Sequence, residues 1–140
     1  MSLAHDAWAY RPFVTEDAGV ATAGRFELET SWDHLAWPNG HRDDVLLLVN
    51  TYGATERLEV AVEAPYVFHN DRGTASSGNG FGDVTLTSKL RLAPERGARP
   101  AATLKGFVKL AHASVRQDLG TGAAHYALAG VASKTLGAVV

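Results

Sequence analysis

The sequence predicts an all-β chain, an antiparallel up-and-down meander that forms a β-barrel or half-barrel of about six strands. Three observations carry that expectation. Apolar and polar residues alternate with period two from Arg25 onward, no stretch shows convincing helical spacing, and breaks bearing Gly, Pro or Asn separate the alternating segments. The chain divides into an N-terminal extension, residues 1–24, to which any helix is confined, and a β-meander over residues 25–140.

In the first strand Phe26, Leu28, Thr30 and Trp32 fall on one parity, and Arg25, Glu27, Glu29, Ser31 and Asp33 on the other. Trp37-Pro38-Asn39-Gly40 then supplies turn chemistry, because Pro fixes its own φ while Asn and Gly tolerate positive φ. Val45 to Tyr52 is nearly continuously aliphatic and closes at the short connection Tyr52-Gly53-Ala54-Thr55-Glu56. Alternation returns at Arg57, with Leu58, Val60, Val62, Ala64, Tyr66 and Phe68 against Arg57, Glu59, Ala61 and Glu63. His69 to Asn79, polar and without period, reads as one long loop.

The fourth strand runs from Asp83 to Leu92, with Val84, Leu86, Leu90 and Leu92 on one face and Asp83, Thr85, Thr87, Lys89 and Arg91 on the other. After a turn from Pro94 to Pro100, Ala102, Leu104, Val108 and Leu110 oppose Thr103, Lys105, Phe107 and Lys109. Gln117 to Ala123 interrupts the pattern, and His125 to Leu136 reads as a sixth strand. Connections alternate between short and long, so a meander gathers tight turns on one edge and long loops on the other, the asymmetry of outer-membrane barrels.

Composition narrows the function. In 140 residues, 46% hydrophobic and 20% charged, the chain is too apolar for disorder and too polar for a bundle of membrane helices. Its net charge of -2 gives no positive field to hold nucleic acid, so no nucleic-acid partner is expected. The absence of cysteine removes disulfides, thiolate metal sites and cysteine nucleophiles together. The longest aliphatic run, Val45 to Val49, falls far short of a spanning helix. Met1 to Asp6 lacks the basic and apolar regions of a signal peptide, so either the protein is not exported or a signal has been removed.

Alternation alone leaves two readings open. In a soluble all-β module, whether it binds a small molecule or is structural, the apolar face is the core; in a membrane barrel that face meets lipid and the polar face lines a lumen. Aromatic residues near segment ends, Trp32 with Trp37 and Tyr66 with Phe68, match an interfacial girdle. The polar parity of the first and third strands is acidic, with Glu27, Glu29, Asp33, Glu59 and Glu63. That of the fourth and fifth is mainly basic, with Lys89, Arg91, Lys105 and Lys109 alongside Asp83. These ten residues are the candidates to face a lumen, where acids and bases pair across a narrow space.

At these residues the sequence resembles a known family. Arg11-Pro12-Phe13-Val14-Thr15-Glu16-Asp17-Ala18, then GRFELE, TYGATERLEVAVEAPY and GFGDVTLTSKLRL, occur in the order found in the outer-membrane β-barrel family associated with the meta-pathway of phenol degradation. The resemblance runs from about Arg11 to Gly130 and is most specific in the "TYG" to "APY" and "GxGD" blocks. It implies an outer-membrane location in a Gram-negative-type cell, lipid or detergent as partner, and passage or binding of small aromatic or apolar molecules. The family's barrels are longer, and closing a spanning barrel takes at least about eight strands. The chain therefore corresponds to the first half of a barrel or to a shortened relative, and a homodimer of two six-stranded halves is the economical way to complete twelve strands.

The remaining chemistry is sparse. Gly78-Asn79-Gly80-Phe81-Gly82 imitates a dinucleotide loop, but a strand follows where a helix is required, and no cofactor is expected. His5, His34, His41, His69, His112 and His125 never occur as H-x-H or H-x-x-x-H, so no local pair chelates a metal; a site assembled from distant strands stays open, and none is expected. Glu27 with Glu29 and Glu59 with Glu63 share strand faces as a carboxylate pair would, though lumen-lining acids explain them more simply. No nucleophile elbow occurs, and the sequence predicts no enzyme.

Overall fold

The computed structural model describes residues 17–36, 41–69 and 78–136. The Trp37-to-Gly40 turn, the opening motif as far as Glu16, His5 and most of the loop expected between His69 and Asn79 lie outside them. The described chain is all-β, 62% strand. Its strands are β1 (Phe26–Ala36), β2 (Arg42–Gly53), β3 (Leu58–His69), β4 (Gly80–Phe81), β5 (Thr85–Ala93), β6 (Ala101–Lys109) and β7 (His125–Ser133), with one 3-10 turn at Val115–Gln117.

They make a single antiparallel sheet in the order β1-β2-β3-β5-β6-β7, with β4 beside β3. The meander of six long strands is as expected, and the two-residue β4 is an addition to it. The sheet does not close: β1 and β7 are its edges and do not pair with each other. Of the two forms expected, barrel and half-barrel, the described residues therefore form the open one.

The extra strand has a local cause. Leu58 to Glu63 pair with β5 while Tyr66 and Val67 pair with β4, and between them sits Pro65, which has no N–H to give the ladder. Its carbonyl still accepts from the Gly82 amide at 2.8 Å. The partner strand is thus interrupted over Gly82 to Val84, and β5 begins at Thr85, two residues later than the sequence suggests. At the far end of β5, Arg91 pairs with Thr103 and Ala93 with Ala102, so Leu92 is the extra residue of a bulge.

Parity within β5 is as predicted. Leu86 and Leu90 lie opposite Val108 and Leu104, whereas Thr85, Lys89 and Arg91 lie opposite Lys109, Lys105 and Thr103. Neighbours in the chain differ sharply in exposure, Lys89 at 9% and Leu90 at 43%. The polar parity is the covered one.

What covers it is the end of the N-terminal extension. Residues 17–23 cross the polar face as a strap: the Ala18 carbonyl accepts from Thr103 Oγ1 at 2.7 Å and its amide donates to Ser133 Oγ, tying the strap to β6 and β7. Further along, the Ala21 amide donates to Glu59 Oε2 on β3, and Ala23 bridges to Gly53 at the end of β2. The buried hydrophobic residues, Ala18, Ala21, Val45 and Ala61, are small and sit where strap meets sheet or where the strands are flanked on both sides.

The connections sort by end. The chain passes from β2 to β3 and from β5 to β6 at the end the strap crosses, and from β1 to β2, β3 to β5 and β6 to β7 at the other. The 37–41 connection is itself brief, so the expected asymmetry rests on the other two.

Candidate functional site

The ten residues expected to face a lumen have the following places. Glu27, Glu29 and Asp33 stand on β1 opposite Thr51, Val49 and Val45. Glu59 and Glu63 on β3 lie opposite Lys89 and Thr85 on β5, and these in turn face Lys105 and Lys109 on β6. Because directly paired residues share a side of the sheet, strand residues from all of these elements occupy one face. Across it run two rows, Glu59-Lys89-Lys105 and Glu63-Thr85-Lys109, each acidic at the β3 end and basic at the β6 end.

Some of the expected pairing is formed directly among the described residues. Lys89 Nζ lies 3.8 Å from Glu59 and 3.9 Å from Asp17 of the strap, so one cation sits between two acids and beside Lys105 across the strand pair. Arg91 does not meet an acid among its described contacts; its guanidinium donates to the Glu56 carbonyl in the short turn, and its amide donates to the Arg57 carbonyl.

Asp83 has a different role from that expected of a strand residue. It lies in the interruption before β5, and its carboxylate accepts from the His112 and Ala113 amides on one oxygen and from the Thr121 amide and hydroxyl on the other. Lys109 Nζ stands 3.5 Å away. Burial alone pushes this carboxyl up, but the amide bonds from Thr121, Ala113 and His112 and the Lys109 charge outweigh it, holding the acid below its ordinary value. Asp83 thereby folds the 110–124 connection back over the end of β5 and β6.

A second cluster at the same end escapes any local motif search. Asp43, near the start of β2, pairs in register with His69, the last residue of β3. His69 Nδ1 lies 2.8 Å from Asp43 Oδ1, and His41 Nε2 lies 2.9 Å from Asp43 Oδ2. The two imidazole rings are 5.9 Å apart. His69 Nε2 faces the Gln117 carbonyl at 3.1 Å, linking this cluster too to the 110–124 connection. The clue in the sequence was parity: His41 and Asp43 are two apart, so in an extended strand they project together. His34 is also paired, with Asp44 at 2.7 Å, but on the opposite, apolar-parity face.

That opposite face is the inverse of a protein exterior. Phe26 is 73% exposed and Leu128 77%, and Leu28, Val60, Val62 and Leu104 are exposed with them. Aromatic residues gather toward both ends: Phe26 stacks on Tyr52 at the short-turn end, while Trp32, Phe68, Tyr66 and Phe81 pack in succession at the other. No family model, curated protein or solved structure matches the chain, so these two faces carry the functional reading.

Proposed function

We propose that the chain is a half-barrel of an outer-membrane β-barrel that passes or binds small, apolar or aromatic molecules. The observation that supports this is the inversion of the faces: charged Asp43, Asp83 and Lys89 are buried on the polar side, while large apolar side chains on the other side stand open. In water each such side chain forgoes roughly 1.5 to 3 kcal/mol of burial free energy. In lipid the same arrangement is favourable, and the aromatic groups at both strand ends match interfacial girdles. Strands of 9 to 12 residues suit a tilted crossing, which needs about 9 to 11. The resemblance to the phenol meta-pathway barrels points the same way.

In this reading the edges β1 and β7 are completed by further strands, and a second copy supplying six of them makes a twelve-stranded barrel. The acidic and basic rows then line the lumen.

The absence of native cysteine makes the test direct. Single cysteines at Leu86, Leu90 and Leu128 and at Thr51, Thr85 and Thr87 are spin-labelled in lipid vesicles. Collision with oxygen, which partitions into lipid, and with a water-soluble nickel chelate is then compared. The leucine positions are expected to be oxygen-accessible and the threonine positions chelate-accessible. Chelate access at the leucines, or a stable dispersed monomer in detergent-free buffer, defeats the membrane reading in favour of a soluble module.

A further inference from the structure

We infer that His41, Asp43 and His69 form a binding site for a divalent first-row metal ion, with Zn2+ as the natural occupant. The ligand atoms of the three residues lie within 4.8 Å of one another, and two imidazoles with one carboxylate are a donor set suited to zinc.

The decisive observation is a conflict of hydrogen-bonding roles at His69. A backbone carbonyl only accepts, so the contact with the Gln117 carbonyl places the ring proton on Nε2. Nδ1 of the neutral ring is then an acceptor as well, and it faces a carboxylate oxygen, another acceptor, at 2.8 Å. Two acceptors are held at that distance by a positive centre between them, either a proton or a metal ion. A metal fits what surrounds it. Two ligands at zinc bond lengths and the tetrahedral angle stand about 3.3 Å apart, so the nitrogen-to-oxygen distances of 2.8 and 2.9 Å at Asp43 need to open by only about half an ångström to admit the ion. The second carboxylate oxygen brings in His41, so one acid joins both rings.

The outer partner is also in place. Histidine ligands characteristically donate their other N–H to a carbonyl or carboxylate, which fixes the tautomer, and the Gln117 carbonyl is the acceptor here. The site is sheltered, since the His69 side chain is 2% exposed and that of Asp43 9%, while His41 at 23% leaves a way in. On binding, the ion replaces the proton between Nδ1 and the carboxylate, and that proton leaves to water. The ion would fasten β2 and β3 to the 110–124 connection, at the rim where the longer loops gather.

The test uses the full chain, stripped with EDTA and held in mild detergent. Calorimetry with Zn2+ and visible absorption with Co2+ are expected to show one tight site per chain. X-ray absorption of the zinc-loaded protein is expected to show two imidazole nitrogens and carboxylate oxygen. His69→Gln, Asp43→Asn and His41→Gln should each weaken binding beyond the about 10- to 100-fold that losing an outer partner costs. His34→Gln, beside Asp44 on the other face, should leave it unchanged. Circular dichroism checks that each variant keeps its strands, and the absorption spectrum of the unaltered chain stands even where a variant does not fold. Binding that persists in Asp43→Asn and His69→Gln, a coordination shell without two imidazoles, or no saturable binding at all would overturn the site and leave a proton as the bridge.

Discussion

At the short-turn end the polar face is crossed by backbone, with Ala18 and Ala21 buried beneath Thr103, Glu59 and Lys89. At the long-loop end it is side chains that reach out from the strand termini to capture the connections, Asp83 taking His112, Ala113 and Thr121 while His69 takes Gln117. The first joint depends on how closely two main chains approach, the second on where charge is placed. A fold can secure the two ends of one sheet by different physics, and the ends should then respond to different perturbations.

The largest expected effect separates them by charge. Asp83→Ala leaves three amides without their acceptor and Lys109 without its counter-charge, and should cost about 2 to 4 kcal/mol in urea unfolding in detergent. Amide exchange should accelerate at residues 112–121 while the strap stays protected; equal acceleration at both ends would dissolve the contrast. Acid tests the same joint. The native acid titrates below its ordinary value of 3.8, so its stabilisation is full above that pH and is lost as the pH falls through the lower native value. Exchange at residues 112–121 should therefore rise only below pH 3.8, and Asp83→Asn should abolish that step.

The next perturbation is one of volume. A Cβ at Gly53 would stand 2.1 Å from the Thr22 carbonyl oxygen, a backbone atom with no flexible side chain to yield. Gly53→Ala should lift the strap, costing about 1 to 3 kcal/mol, and expose Arg25 to trypsin while the Asp83 clamp holds. Unchanged cleavage would mean the strap is secured elsewhere. The smallest effect is at Thr103, 1% exposed, whose hydroxyl serves the Ala18 carbonyl. Thr103→Val should lose about 0.5 to 1.5 kcal/mol and raise exchange at Ala18 alone.

The sheet was legible because period two is a property of each strand by itself: Lys89 and Leu90 declare opposite faces without reference to a partner. What required partners was less visible. Glycine at 80 and phenylalanine at 81 are too few to show alternation, and β4 exists because Pro65 interrupts the ladder on the neighbouring strand. Asp83 continues the alternation of β5 in sequence, yet it leaves the strand for loop amides far along the chain. The Asp43 cluster lay nearer to hand. The brief 54–57 connection closes its hairpin at the Gly53 and Glu59 pair, and stepping back along both strands from there leads to Asp43 and His69. The register was implicit in the turn; that both histidines would converge on one carboxylate was not.

The strap also imposes an order in time. Each hairpin of the meander joins segments adjacent in the chain and can form as soon as both have been made, at the small closure cost of a short loop. The amide of Ala18, by contrast, is bound to Ser133, 115 residues onward. The Ala18 end of the strap thus finds its place only after β7 is made, whereas Ala21 and Ala23, bound to β3 and β2, can settle earlier. Until then the polar face over β6 and β7 stays open to water, and settling of Ala18 there marks the completion of the sheet.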